Sequence, residues 1–190
     1  MRLLLALGVI GGAAWVAYAF VPAECVPVTS ASEVFCLRLW TPALFAMTAG
    51  FFGLRRWAGS VDWPGAANGF LVVAAGAGLM ALANFVDYWL LSDVPFDSPD
   101  GGFRSVLSLI LLLGVLTVAA GATGTGILLI LSRRRSIRSR ILGSLIVSVV
   151  SFALFVGLLA MGALAIIACG YALFITRSQP ETERPELETA

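Results

Sequence analysis

The chain contains no histidine and no lysine, so all 12 of its basic residues are arginine. Without imidazole, a Ser-His-Asp or Cys-His nucleophile system is excluded, as is histidine ligation of zinc or haem. Without lysine, a Schiff base and a phosphate-loop lysine are excluded as well. Charge of either sign is scarce: Asp, Glu, Lys and Arg make up 12% of the residues, about half the share usual in a soluble domain. Cysteine occurs three times, never as Cys-x-x-Cys. The redox chemistry of that motif is therefore absent.

What the chain has is apolar surface. Of its 190 residues, 59% are hydrophobic, and the mean hydropathy is +0.97. One water-soluble core of this size cannot absorb so much, so the sequence predicts lipid as the solvent. Crossing about 30 Å of hydrocarbon takes about 20 apolar residues in a helix. Five runs meet that need: Leu3–Val21, Leu39–Leu54, Gly69–Leu91, Ser105–Leu131 and Ile141–Ile175. Lipid leaves backbone groups no outside partner, which favours helices, and the two-residue alternation of a membrane barrel is missing. The expected fold is all-α: a polytopic membrane bundle of five helices spanning 1–177. Outer loops are expected at 22–38 and 92–104, and inner loops at 55–67 and 132–140. The acidic tail, 178–190, has too little apolar content to pack and is expected to be disordered. Pro42 is placed in the first turn of the second run, and Asn68 is read as the N-cap of the third.

The fifth run is long: about 35 residues would extend about 52 Å as a helix. No Pro, Asn or charge near Gly157 marks a turn, so a single long helix is expected, with the two termini on opposite sides. The first run also resembles a secretory signal, ending Ala17-Tyr18-Ala19, and its cleavage would leave four spans. With the N-terminus cytoplasmic, Arg2, Arg55, Arg56, Arg133, Arg134, Arg135, Arg138 and Arg140 fall inside. Arg38, Arg104, Arg177 and Arg184 fall outside, and this bias obeys the positive-inside rule. The expected location is the cytoplasmic membrane of a prokaryote.

Four groups of residues carry the chemistry that remains. Cys25 and Cys36 share the first outer loop, on the oxidising side, and are expected to form a disulfide. That bridge would close a short loop, for roughly 3 kcal/mol in the chain-entropy picture. Cys169, deep in the fifth run, reads as a packing residue. Asp87 is the single acid within a run, with Asn84 and Tyr88 on its face. A carboxylate at membrane depth suggests proton or cation handling, since a central one costs roughly 3 kcal/mol. Its place near the end of the run also suits a plain structural role. Arg133, Arg134, Arg135, Arg138 and Arg140 form the densest charge, suited to anionic lipid headgroups or a docking partner. No aromatic residue interleaves with them, so nucleic acid is not expected.

The acids Asp93, Asp97 and Asp100 lack the spacing of an EF-hand loop, and neither metal nor cofactor is expected. Small residues mark helix contacts: Gly8, Gly11 and Gly12; Ala74, Ala77, Gly78 and Ala81; Thr117, Gly121, Gly124 and Gly126; and a stripe of Ser144, Ser148 and Ser151. They would bundle the chain with itself, with a second copy or with another membrane protein. No set of ionisable groups converges on one spot. The functional expectation is therefore a small, non-enzymatic membrane protein acting as an accessory or structural subunit. The alternative is a small transporter or cation-handling protein using Asp87.

Overall fold

The computed structural model describes residues 1–18, 31–91, 101–131, 137–156 and 159–178. Within them the chain is all-helical, without strands. The helices are α1 (Arg2–Tyr18), α2 (Ala31–Ser60), α3 (Pro64–Phe85), α4 (Gly101–Leu131), α5 (Ile137–Val156) and α6 (Leu159–Ser178). A π-helical turn, Val86–Leu90, prolongs α3. The helices run further than the apolar runs do. Ala31–Arg38, expected in a loop, belongs to α2, so Pro42 lies inside that helix and not in its first turn.

Each helix packs on its neighbours in chain order, and α6 returns to α1 and α2, closing the circuit. Close approaches at glycine fix the directions. A Cβ on Gly11 would reach the Ala43 carbonyl at 2.7 Å, and one on Gly53 would reach Leu4 at 2.9 Å, so α1 and α2 are antiparallel. In α6, Gly162 meets Gly12, Cys169 meets Gly8, and Thr176 accepts a hydrogen bond from Arg2 at 3.2 Å. Helix α6 is thus antiparallel to α1. The starts of α1, α3 and α5 and the ends of α2, α4 and α6 therefore share one end of the bundle, called lower below.

This corrects the expected single helix over Ile141–Ile175, and with it the five-helix count. The run is two antiparallel helices of 20 residues each, about 30 Å apiece. The reason is tertiary. Folding back seats Leu164, Ala165, Ala168, Cys169 and Ala172 in the core, burial that a continuous helix would forgo. The C-terminal end of α6 consequently lies beside Arg2, not at the opposite end.

Four interfaces share one device, a glycine from each helix at the crossing: Gly8–Gly50, Gly12–Gly162, Gly76–Gly114 and Gly126–Gly143. With no Cβ between them the backbones approach closely, as small-residue faces allow. Fully buried side chains, among them Leu5, Leu44, Met47, Phe51, Met80, Leu129 and Ile146, fill the space that remains. Trp15 and Trp40 pair across α1 and α2 with ring centroids 5.0 Å apart. Of the serine stripe, Ser144 and Ser148 are exposed on α5 and do not join these contacts.

The α2–α3 connection is a Schellman turn. Trp63 N–H reaches back to the Ala58 carbonyl at 2.8 Å and Asp62 N–H to Gly59 at 3.2 Å, with Asp62 left-handed at φ 57°. The apolar contact that accompanies such turns is the edge-to-face pair Trp57–Trp63, at 5.2 Å. Pro64 then opens α3 at a position where its missing N–H costs nothing. Asn68, expected as the cap, is one turn inside the helix.

Outward, the bundle is apolar. On α4 the side chains of Leu109, Leu112, Leu113 and Leu116 are each more than half exposed. Leu3, Ile10, Phe45, Phe52, Leu82, Ile141 and Phe174 continue this surface on the other helices. Two helical segments, Pro64–Leu90 and Ser105–Leu131, are long and apolar enough to cross a membrane.

Candidate functional site

The polar side chains that the fold draws inward meet at the upper end, between α2 and α3. The cause begins with Pro42. A proline inside a helix has no N–H for the carbonyl four residues earlier, so the Arg38 carbonyl loses its usual donor. The indole N–H of Trp89 takes that place at 3.3 Å and also donates to the Thr41 hydroxyl at 3.2 Å. Thr41 in turn donates to Asn84 Oδ1 at 2.5 Å. Thr41 and Asn84 are 3% and 2% exposed, so this bond is made away from water, where an unpaired amide costs most.

The π turn puts Trp89 in reach. Leu91 N–H bonds the Val86 carbonyl, five residues back, and one extra residue per turn re-aims those that follow. Such single turns recur at functional sites. The Tyr88 carbonyl receives Arg38 Nε at 2.8 Å, and the Arg38 guanidinium lies 5.6 Å from the centre of the Trp89 ring. Phe85 stacks on the same Trp89 ring, with centroids 6.1 Å apart. The result is a hydrogen-bonded chain, Trp89 to Thr41 to Asn84, locked by Arg38.

The predicted trio is therefore only partly assembled. Asn84 turns inward to Thr41, while Asp87 and Tyr88 sit half-buried on the π turn. Tyr88 contributes its backbone carbonyl. Sequence reasoning missed Arg38 and Thr41 as partners of this face. The signal was Thr41-Pro42 itself: a proline within a helix advertises a free carbonyl one turn back. Chemically, the Asn84 amide nitrogen has no acceptor among the described residues, so the site offers donors to a small acceptor such as water.

The remaining predicted positions lie elsewhere. Cys25 is outside the described residues, and Cys36 belongs to α2 without a described side chain, so the expected bridge falls beyond what is described. Cys169 is unpaired and buried between Gly8 and Gly50, in keeping with a packing role. Arg133, Arg134 and Arg135 are outside the described residues. Arg138 lies in the first turn of α5, and Arg140 is exposed there. Among the described residues, no group of three or more Cys, Asp or Glu could hold a metal ion.

Comparison with protein families, with curated proteins and with solved structures finds no match to this chain.

Proposed function

We propose that the chain is a non-enzymatic integral membrane protein whose six helices all cross the bilayer, acting as a structural or accessory membrane subunit. The observation that carries this reading is the radial sorting of side chains. Large apolar residues face outward along the flanks, where water would penalise them by about 25 cal/mol per Å². Charged residues keep to the ends. Among the described residues, Arg2, Arg55, Arg56, Arg138, Arg140 and Arg177 lie at the lower end, while Arg38 and Arg104 lie at the upper. The fold-back of α6 moves Arg177 to the arginine-rich end and sharpens the bias expected of a cytoplasmic face. Both ends of the described chain then face the cytoplasm, and the cytoplasmic membrane is the proposed location. Structural work suits an interior held together by glycine contacts.

Alkaline carbonate extraction tests insertion: the chain should stay in the membrane pellet. Recovery as a monodisperse particle in aqueous buffer without detergent would overturn the reading. The subunit role predicts a stoichiometric membrane-protein companion after purification in mild detergent. A chain that purifies alone and conducts a solute would count against it.

A second reading rests on the buried Thr41–Asn84 pair and its unused amide donors beside Asp87: a small solute- or proton-handling protein. Its test is flux in liposomes. Asn84→Leu and Asp87→Asn should each abolish transport, and unchanged flux in both removes this reading.

A further inference from the structure

We propose that the corner formed by α1, α2 and α6 at the lower end is a binding site for the phosphate headgroup of an anionic phospholipid. The inference rests on the membrane reading above. Arg2 opens α1 and reaches α6, its Nη2 donating to the Thr176 carbonyl at 3.2 Å. Arg177 follows on that same turn of α6. Gly53 packs on Leu4 and Leu5 of α1, and Arg56, one turn further along α2, shares its side of the helix. Arg2, Arg56 and Arg177, from segments distant in sequence, thus stand at the lower ends of three helices that pack on one another. All three are exposed, and none has an acidic partner among the described residues.

Among the described residues the charge there is not balanced. The helix ends of α2 and α6 each supply roughly half a negative charge and the start of α1 roughly half a positive one. The net of about −0.5 leaves most of three positive charges unmatched. Beside them stands an apolar wall: Leu3 is 73% exposed and Phe174 70%, with Ile10 and Phe52 further along the same flanks. Cations at a helix-end corner above exposed apolar side chains match a ligand with an anionic head and acyl chains. Basic pockets between membrane helices bind such headgroups.

The test uses the whole chain in nanodiscs of zwitterionic lipid containing a minor fraction of phosphatidylglycerol, with bound lipid counted by native mass spectrometry. The chain should retain phosphatidylglycerol well above its bulk fraction. Replacing Arg2, Arg56 and Arg177 together by Gln should cut that enrichment about 100-fold, as roughly three surface arginines would. Arg140→Gln, at the same end on α5, should change it less than threefold. Equal loss in the Arg140 variant would overturn the proposal in favour of diffuse attraction. Undiminished retention in the triple variant would overturn it outright. Competition by inorganic phosphate at millimolar concentration would also overturn it, since the acyl chains would then contribute nothing. Failure to enter nanodiscs at all would instead sink the membrane reading.

Discussion

The contact between Gly12 and Gly162 joins the first helix to the last, and it can be loosened one methyl group at a time. A Cβ on Gly12 would stand 2.6 Å from the Gly162 carbonyl oxygen, and one on Gly162 would stand 2.8 Å from that of Gly12. Ordinary contact begins near 3.4 Å, so Gly12→Ala must part α1 and α6 by roughly 0.8 Å, the difference between 2.6 and 3.4 Å. A gap of that width forfeits between a quarter and a half of the dispersion energy along the seam. Overpacking of this kind costs about 1–3 kcal/mol. The second alanine enters a gap the first has opened, so the double variant should cost less than the sum, by about 0.5 kcal/mol or more. Gly124→Ala is the control: its Cβ meets nothing within 4 Å, so it should be neutral or stabilising by up to about 1 kcal/mol. Equilibrium unfolding in mixed micelles reads all four variants. Neutral alanines at 12 and 162, or costs that simply add, would refute both the seam and the fold-back of α6.

Three further outcomes follow from the geometry. Trp89→Phe removes the donor to the Arg38 carbonyl and to Thr41, and should cost about 1 kcal/mol. In a Pro42→Ala background, where the backbone N–H at 42 serves the Arg38 carbonyl again, the same change should cost measurably less in the same unfolding assay. Asp62→Gly relieves a left-handed non-glycine residue and should stabilise by up to about 1 kcal/mol, seen as a shifted unfolding midpoint. Single cysteines at Ser60 and Thr176, in a background with Cys25, Cys36 and Cys169 replaced by serine, should label from the same side of sealed vesicles, and a cysteine at Leu90 from the other. Labelling of 60 and 176 from opposite sides would restore the single long helix.

Helical class and apolar character were legible because they depend on composition and run length. So were the glycine faces of α1, since Gly8, Gly11 and Gly12 are spaced for contact and the structure uses all three. The break in the fifth run was not, because no local turn signal announces it. What holds α6 against α1 is the fit of Gly162 and Cys169 to residues about 150 positions earlier in the chain. The outward placement of Ser144 and Ser148 was hidden for the opposite reason: their spacing is helical, but nothing local says which face turns inward. At the candidate site, Asn84 was visible as a polar residue in an apolar run. Its partner was not, because the Thr41–Asn84 bond depends on how α2 is seated on α3. The π turn and the Trp89 cap on Arg38 likewise arise from tertiary placement, although Pro42 hinted at the second.

The circuit of helices is closed by the two that are farthest apart in the chain. During synthesis α1 emerges long before α6 exists, so Gly12 and its neighbours must wait, uncovered, until the final hairpin is delivered. Stretches made earlier can dock in order as they appear. The last clasp cannot, and a polypeptide stalled short of Leu159 would present an open seam to any quality-control protease able to sense it.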